Sequence, residues 1–125
     1  MEKDFSLGEA ELEIMKVLWK AGRSVNTQFI NKAVEEKGWK RTTISTFLTR
    51  LVQKGAIEGE KSGNTYYYKA LISEKEYRRL KSRNLITSLF GGSAKDLTAA
   101  LVEDGELSME DIDELRSLID SIGER

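Results

Sequence analysis

Three stretches of helical periodicity end one after another at Gly22, Gly38 and Gly55, and the chain then switches to β-forming residues. The first predicts a helix from Leu7 to about Lys20, with Ala10, Ile14, Val17 and Leu18 on one face and Met15 and Trp19 beside it. The second predicts a helix from Val25 to Lys37, capped by Ser24, with Val25, Phe29, Ile30, Ala33 and Val34 as its apolar stripe. The third predicts a helix from Thr42 to Lys54, in which Ile44, Phe47, Leu48 and Leu51 recur at helical spacing. Each helix is apolar on one face only, so the three must close a shared core. Beyond Ala56, Ile57 to Lys61 and Thr65 to Leu71 read as a hairpin turning at Gly63-Asn64, with Gly59 weakening its first strand. Three helices followed by a hairpin are the parts of a winged helix.

The chain contains no proline, so its remaining punctuation comes from glycine and helix caps. Ser6 with Glu9, Ser73 with Glu76, Ser93 with Asp96 and Ser108 with Asp111 each set a hydroxyl three residues ahead of an acid. That spacing lets both groups take unpaired N–H groups at a helix start. A helix is therefore expected from about Glu74 to Phe90, broken by Gly91-Gly92, with shorter ones from Ala94 to Glu103 and from Met109 to Ile122. The expected fold class is mainly α (α+β). It has a winged helix-turn-helix domain over residues 1–72 and a helical domain over residues 73–125.

Charge divides the chain in the same sense. Up to Arg83 there are seventeen Lys or Arg against eleven Asp or Glu, and beyond it three against ten. The first part suits a polyanion and the second does not. With neither cysteine nor histidine there is no disulfide, no thiol nucleophile and no common metal ligand or general base. No enzyme constellation, metal or cofactor is expected. Glu9, Glu11 and Glu13 read as structural acids near a helix N-terminus rather than as an acid–base pair. The start of the chain lacks the apolar core of a leader peptide and no segment approaches a membrane span, so a cytoplasmic protein without membrane contact is expected.

The informative segment runs from Ser24 to Lys54, where two helices meet at Gly38-Trp39-Lys40 with the dimensions of a helix-turn-helix. Apart from its core positions, the second helix presents Thr42, Thr43, Ser45, Thr46, Thr49, Arg50 and Gln53, preceded by Lys40 and Arg41, and no carboxylate at all. A helix of this length fits the major groove, where phosphates repel acids. A solvated helix face is the plain alternative, but such faces usually mix both signs of charge. On the hairpin, Lys61 and Lys69 are candidate phosphate contacts, provided Glu58 and Glu60 point away. Tyr66, Tyr67 and Tyr68 alternate in a strand, so at least one face of the three is expected to be packing rather than a stacking platform.

In the tail, Leu97 and Leu101 on one helix and Ile112, Leu115, Leu118, Ile119 and Ile122 on the next form apolar stripes. Helices this short do not persist alone. Packing back on the first domain is one solution; pairing with the same tail of a second chain is the other, and the acidic charge favours it.

Four stretches carry a resemblance. They are LGEAELEIMKVLW over residues 7–19, WKRTTISTFLTRLVQKG over 39–55, YYYKAL over 66–71 and LSMEDIDELRSLI over 107–119. Together, and in this order, they resemble the penicillinase repressor family, which includes repressors of β-lactam resistance and of copper transport. The resemblance implies a bacterial homodimeric winged-helix repressor of palindromic operators in double-stranded DNA. It implies that Thr43, Thr46, Thr49 and Arg50 lie in the recognition helix. Ser45 stands where the β-lactam repressors carry a longer cation. Those repressors are cut by a sensor-linked protease at an Asn-Phe bond, and the matching pair here is Asn84-Leu85, with leucine in place of the aromatic ring. The cysteine pairs of the copper-responsive members are missing, which excludes copper sensing by that route. A winged helix serving as a protein-interaction module is the alternative reading.

Overall fold

The computed structural model describes residues 6–123, with side chains to Asp120. In chain order the elements are helix α1 (Glu9–Ala21), strand β1 (Val25–Asn26), helix α2 (Thr27–Ala33), a 3-10 turn (Glu35–Lys37) and helix α3 (Arg41–Gln53). Strands β2 (Ile57–Ser62) and β3 (Thr65–Ala70) follow, and then helices α4 (Glu74–Phe90), α5 (Ala94–Glu103) and α6 (Met109–Gly123). This is a mainly helical winged helix-turn-helix with a small antiparallel sheet in the order β1-β3-β2 and a helical tail.

Local signals account for most boundaries. Ser73, Ser93 and Ser108 each accept the N–H three residues on, at 3.1, 3.0 and 3.0 Å. At α6 the exchange is reciprocal, because Asp111 Oδ2 accepts from Ser108 N at 3.1 Å. Two expectations at helix starts are corrected. α1 begins at Glu9, not Leu7, and its box joins Gly8 to Glu11, whose Oε1 accepts the Gly8 N–H at 2.8 Å. The second helix is shorter than expected, because Val25 and Asn26 are taken by the sheet, where they pair with Tyr68 and Tyr67. Asn26 then caps α2, its Oδ1 accepting from Phe29 N at 2.8 Å, in place of Ser24.

β2 is full length despite Gly59. That glycine faces Tyr68 across the ladder, and a Cβ there would lie 2.9 Å from the tyrosine ring. The strand gives up a side chain so that an aromatic ring can lie over its backbone. The hairpin closes through Gly63-Asn64, with a positive φ of 64° at Gly63, as a two-residue turn with glycine first requires.

Chain packing separates a unit ending at Arg79 from one beginning at Leu80. Ile14, Met15, Ile30, Leu48, Leu51 and Ile57 form the centre of the first. This unit extends past the expected boundary at residue 72 into α4. Tyr77 is buried with its ring 5.6 Å from that of Trp19, and Trp19 Nε1 donates to Ile72 O at 2.9 Å. The second unit is helical. Among the described side chains of α5 and α6 none is buried. Among the described residues no helix is long and apolar enough to cross a membrane.

Candidate nucleic-acid interface

α3 is anchored by Ile44, Leu48 and Leu51, all buried. The three lie on one side of the helix, so its other side is set outward. Thr42, Ser45, Thr46, Thr49, Arg50 and Gln53 are exposed there, with Lys40 and Arg41 just ahead. Thr43 is only half exposed, on the flank beside Phe47. The rings of Trp39 and Phe47 meet edge-on at 5.3 Å, which ties the preceding turn to α3.

The start of α3 differs from the others in the fold. α1, α4, α5 and α6 all carry acids in their first turns, and α2 has the Asn26 cap. α3 has neither an acid in its first turn nor a side-chain cap on its N–H groups. Positive potential from these unpaired N–H groups is therefore left uncompensated, beside Lys40 and Arg41, where a phosphate would supply the missing anion. Along the exposed face, Thr46 Oγ1 donates to Thr42 O at 3.0 Å and Thr49 Oγ1 to Ser45 O at 2.9 Å. Their hydroxyl hydrogens are used within the helix, so what they offer outward is acceptor lone pairs and methyl groups. These suit an exocyclic amine and a thymine methyl respectively.

Cross-strand register sorts the hairpin residues by face. Glu58 opposes Lys69 and Glu60 opposes Tyr67 on one face, while Gly59 opposes Tyr68 and Lys61 opposes Tyr66 on the other, which continues from buried Ile57. The two wing cations therefore lie on opposite sides. Lys69 is already paired with Glu58, at 3.4 Å. Lys61 shares its face with Tyr66 and Tyr68, whose rings stack at 6.3 Å, and neither acid of the hairpin is on that face. Tyr66 is 48% exposed and Tyr67 is exposed on the opposite side, while Tyr68 is half-buried. Among the described residues Lys40, Arg41, Arg50 and Lys61 have no ion-pair partner.

Two acids of α1 are engaged inside the first unit. Glu13 pairs with Lys37 at 3.2 Å and Lys16 at 3.5 Å. Glu11 accepts from Lys54 Nζ at 2.8 Å. Glu11 and Lys54 had no assigned part in the interface from sequence, because they are 43 positions apart and no local pattern joins them.

In the tail, Leu97 and Ile112 are half-exposed, and Leu101, Leu115, Leu118 and Ile119 are exposed. The side chain of Ile122 lies outside the described residues. Asn84 and Leu85 are exposed but sit within the unbroken helix α4.

Comparison with known proteins decides the family: the model of the penicillinase repressor family matches residues 7–121. The chain belongs to the penicillinase repressor family. It is 34% identical over 121 residues to the penicillinase repressor of Bacillus licheniformis, covering 96% of this chain and 94% of that one. It is 30% identical over 117 residues to the methicillin resistance regulatory protein MecI of Staphylococcus aureus strain N315, covering 94% and 95%. Among solved structures it resembles the monomeric form of Bacillus licheniformis BlaI in complex with the blaP half-operator. That match has a TM-score of 0.52 at 38% identity and covers 62% of this chain and 94% of the other. Within the family, the winged unit described above is thus similar to one solved on DNA.

Proposed function

We propose that this chain is a transcriptional repressor that binds palindromic operators in double-stranded DNA as a homodimer. The observation that carries the reading is the acid-free outer face of α3, which begins with N–H groups that no side chain caps and with two cations that have no ion-pair partner among the described residues. A relative's winged unit bound to a half-operator supports the same placement for this one. In this reading Thr42, Ser45, Thr46, Thr49 and Arg50 read base edges, with Thr43 at the margin. Lys40, Arg41 and Lys61 hold phosphates, and Lys69 contributes less because Glu58 neutralises it.

Repression follows from occupancy: a duplex held at two successive half-sites is closed to the transcription machinery. A single groove contact holds weakly, whereas joining two makes the second contact intramolecular. Leu97, Leu101, Ile112, Leu115, Leu118, Ile119 and Ile122 are the residues proposed to join the two copies, leaving residues 1–72 for DNA and 73–125 for pairing. Relief by a sensor-linked protease at Asn84-Leu85 belongs to the same proposal. Because that bond lies in α4, cutting requires the helix to unwind locally. An activated sensor system that leaves the chain intact would remove this part of the proposal.

The test is to select duplexes from a randomised pool with the full chain and then measure affinity against salt. A repressor enriches a palindrome, protects two major-groove patches a whole number of helical turns apart, and loses affinity with a log–log slope of about 0.9 per phosphate contacted. A protein-interaction module enriches nothing.

A further inference from the structure

Glu11 is an unusual residue to find sealed in so small a unit. Its side chain is 8% exposed, and its Oε1 receives both Lys54 Nζ and Gly8 N at 2.8 Å. Its Oε2 is buried with no hydrogen-bond partner among the described residues. Lys54 is the residue that ends α3, and its ammonium also donates to Ser6 O at 2.7 Å. Arg50, one turn earlier on α3, contributes further positive charge toward the same carboxylate.

An ion pair whose carboxylate is buried with one oxygen left unsatisfied, while its lysine stays 32% exposed, is a poor source of stability, since apolar residues of similar size often do as well. Its better-attested use is to fix a register. The remaining anchors of α3 are Ile44, Leu48 and Leu51, whose apolar contacts are non-directional and would tolerate a small roll or slide of the helix. A charge-assisted hydrogen bond is directional. It sits at the C-terminal end of α3, past Leu51, the last of the apolar anchors, where a small roll of the helix would otherwise meet least resistance.

We propose that Glu11 and Lys54 are positioning residues for DNA specificity: they fix the roll and axial position of α3 on α1 so that its outer face meets the base edges in one register. This rests on the DNA-binding reading above. It makes a prediction opposite in sign to simple electrostatics. Removing a carboxylate near a DNA-binding surface should strengthen binding to every duplex, whereas removing a positioning group should weaken binding to the chosen duplex alone.

The experiment uses the full chain, the duplex it selects from a randomised pool, and a scrambled duplex of the same length and composition, at fixed salt. If the unaltered chain selects no duplex, the DNA-binding reading itself fails before any variant is made. Otherwise Glu11→Gln, kept at a temperature where circular dichroism shows it folded, is expected to lower the preference for the selected duplex about tenfold. That equals the effect of one mismatched base pair. Scrambled-duplex affinity should stay level or rise. An unchanged preference, or equal change on both duplexes, overturns the proposal. Should Glu11→Gln be unfolded throughout, Lys54→Met carries the same expectation, and Lys54→Arg, which keeps the charge and the bond, should restore the preference. An equal loss on both duplexes for Lys54→Met would instead mark Lys54 as a plain phosphate contact and overturn the role.

Discussion

In the unit that ends at Arg79, Ile14, Met15 and Leu51 are sealed from solvent, whereas in the unit from Leu80 onward Leu118 and Ile119 stand 59% and 64% exposed. The first draws its core from segments far apart in sequence. α1 and α3 face one another, β1 is clipped to β3, and Trp19 is bonded to Ile72. The tail is built from local helices whose apolar stripes stay open. Charge follows the same division, with a positive surplus in front and a negative one behind. The difference separates two demands. On the proposed reading, the front holds a polar surface rigidly, which takes a closed core, while the tail offers an apolar surface to a second copy, which takes an open one.

The sharpest way to break that contrast is to place a charge on the tail stripe. Leu115→Asp should yield monomers in sedimentation and lower duplex affinity by about 10²- to 10⁴-fold, the advantage lost when two linked contacts become one. Trp19 and Trp39, the chain's two tryptophans, both report on the front unit, and their fluorescence melt should be nearly unchanged. Next, Ile14→Ala should destabilise the front unit by about 2–5 kcal/mol in denaturant melts. Leu118→Ala, at an exposed site, should leave the stability of the monomeric Leu115→Asp background nearly untouched.

Smaller effects resolve the front unit itself. Arg50→Ala should cost about 1–3 kcal/mol of duplex affinity by titration. Lys61→Ala should reduce the salt slope by about one, and Lys69→Ala by less, because Glu58 already holds that ammonium. The smallest effect is on acid stability. Burial pushes the Glu11 carboxyl up, but the bonds from Lys54 and Gly8 and the charges of Lys54 and Arg50 outweigh it, leaving it below its ordinary value of 4.5. A lowered folded value means the contribution is fully present above 4.5 and is lost as pH falls through the folded value. Urea melts from pH 3 to pH 6 should therefore show a shallower acid loss in Glu11→Gln than in the unaltered chain.

What could be read from sequence, and what could not, divides by distance along the chain. The caps at Ser73, Ser93 and Ser108 act over three residues, and the Gly63-Asn64 turn over two, so both were legible. The outward set of α3 was legible because its buried partners recur at helical spacing. Val25 and Asn26 looked helical because their strand partners, Tyr68 and Tyr67, lie far along the chain. The same non-locality hid the Glu11–Lys54 bond between two helices, whereas the Glu58–Lys69 pair follows from the register that the Gly63-Asn64 turn sets.

The central claim is that the exposed side of α3 lies against DNA, and one substitution tests it directly. Thr46→Glu adds an acid in the middle of that side without weakening the helix, since glutamate is the better helix former. The equilibrium affinity of this variant for the selected duplex should fall to the level of a scrambled one while the melting temperature holds. Undiminished affinity in the folded variant would contradict the account.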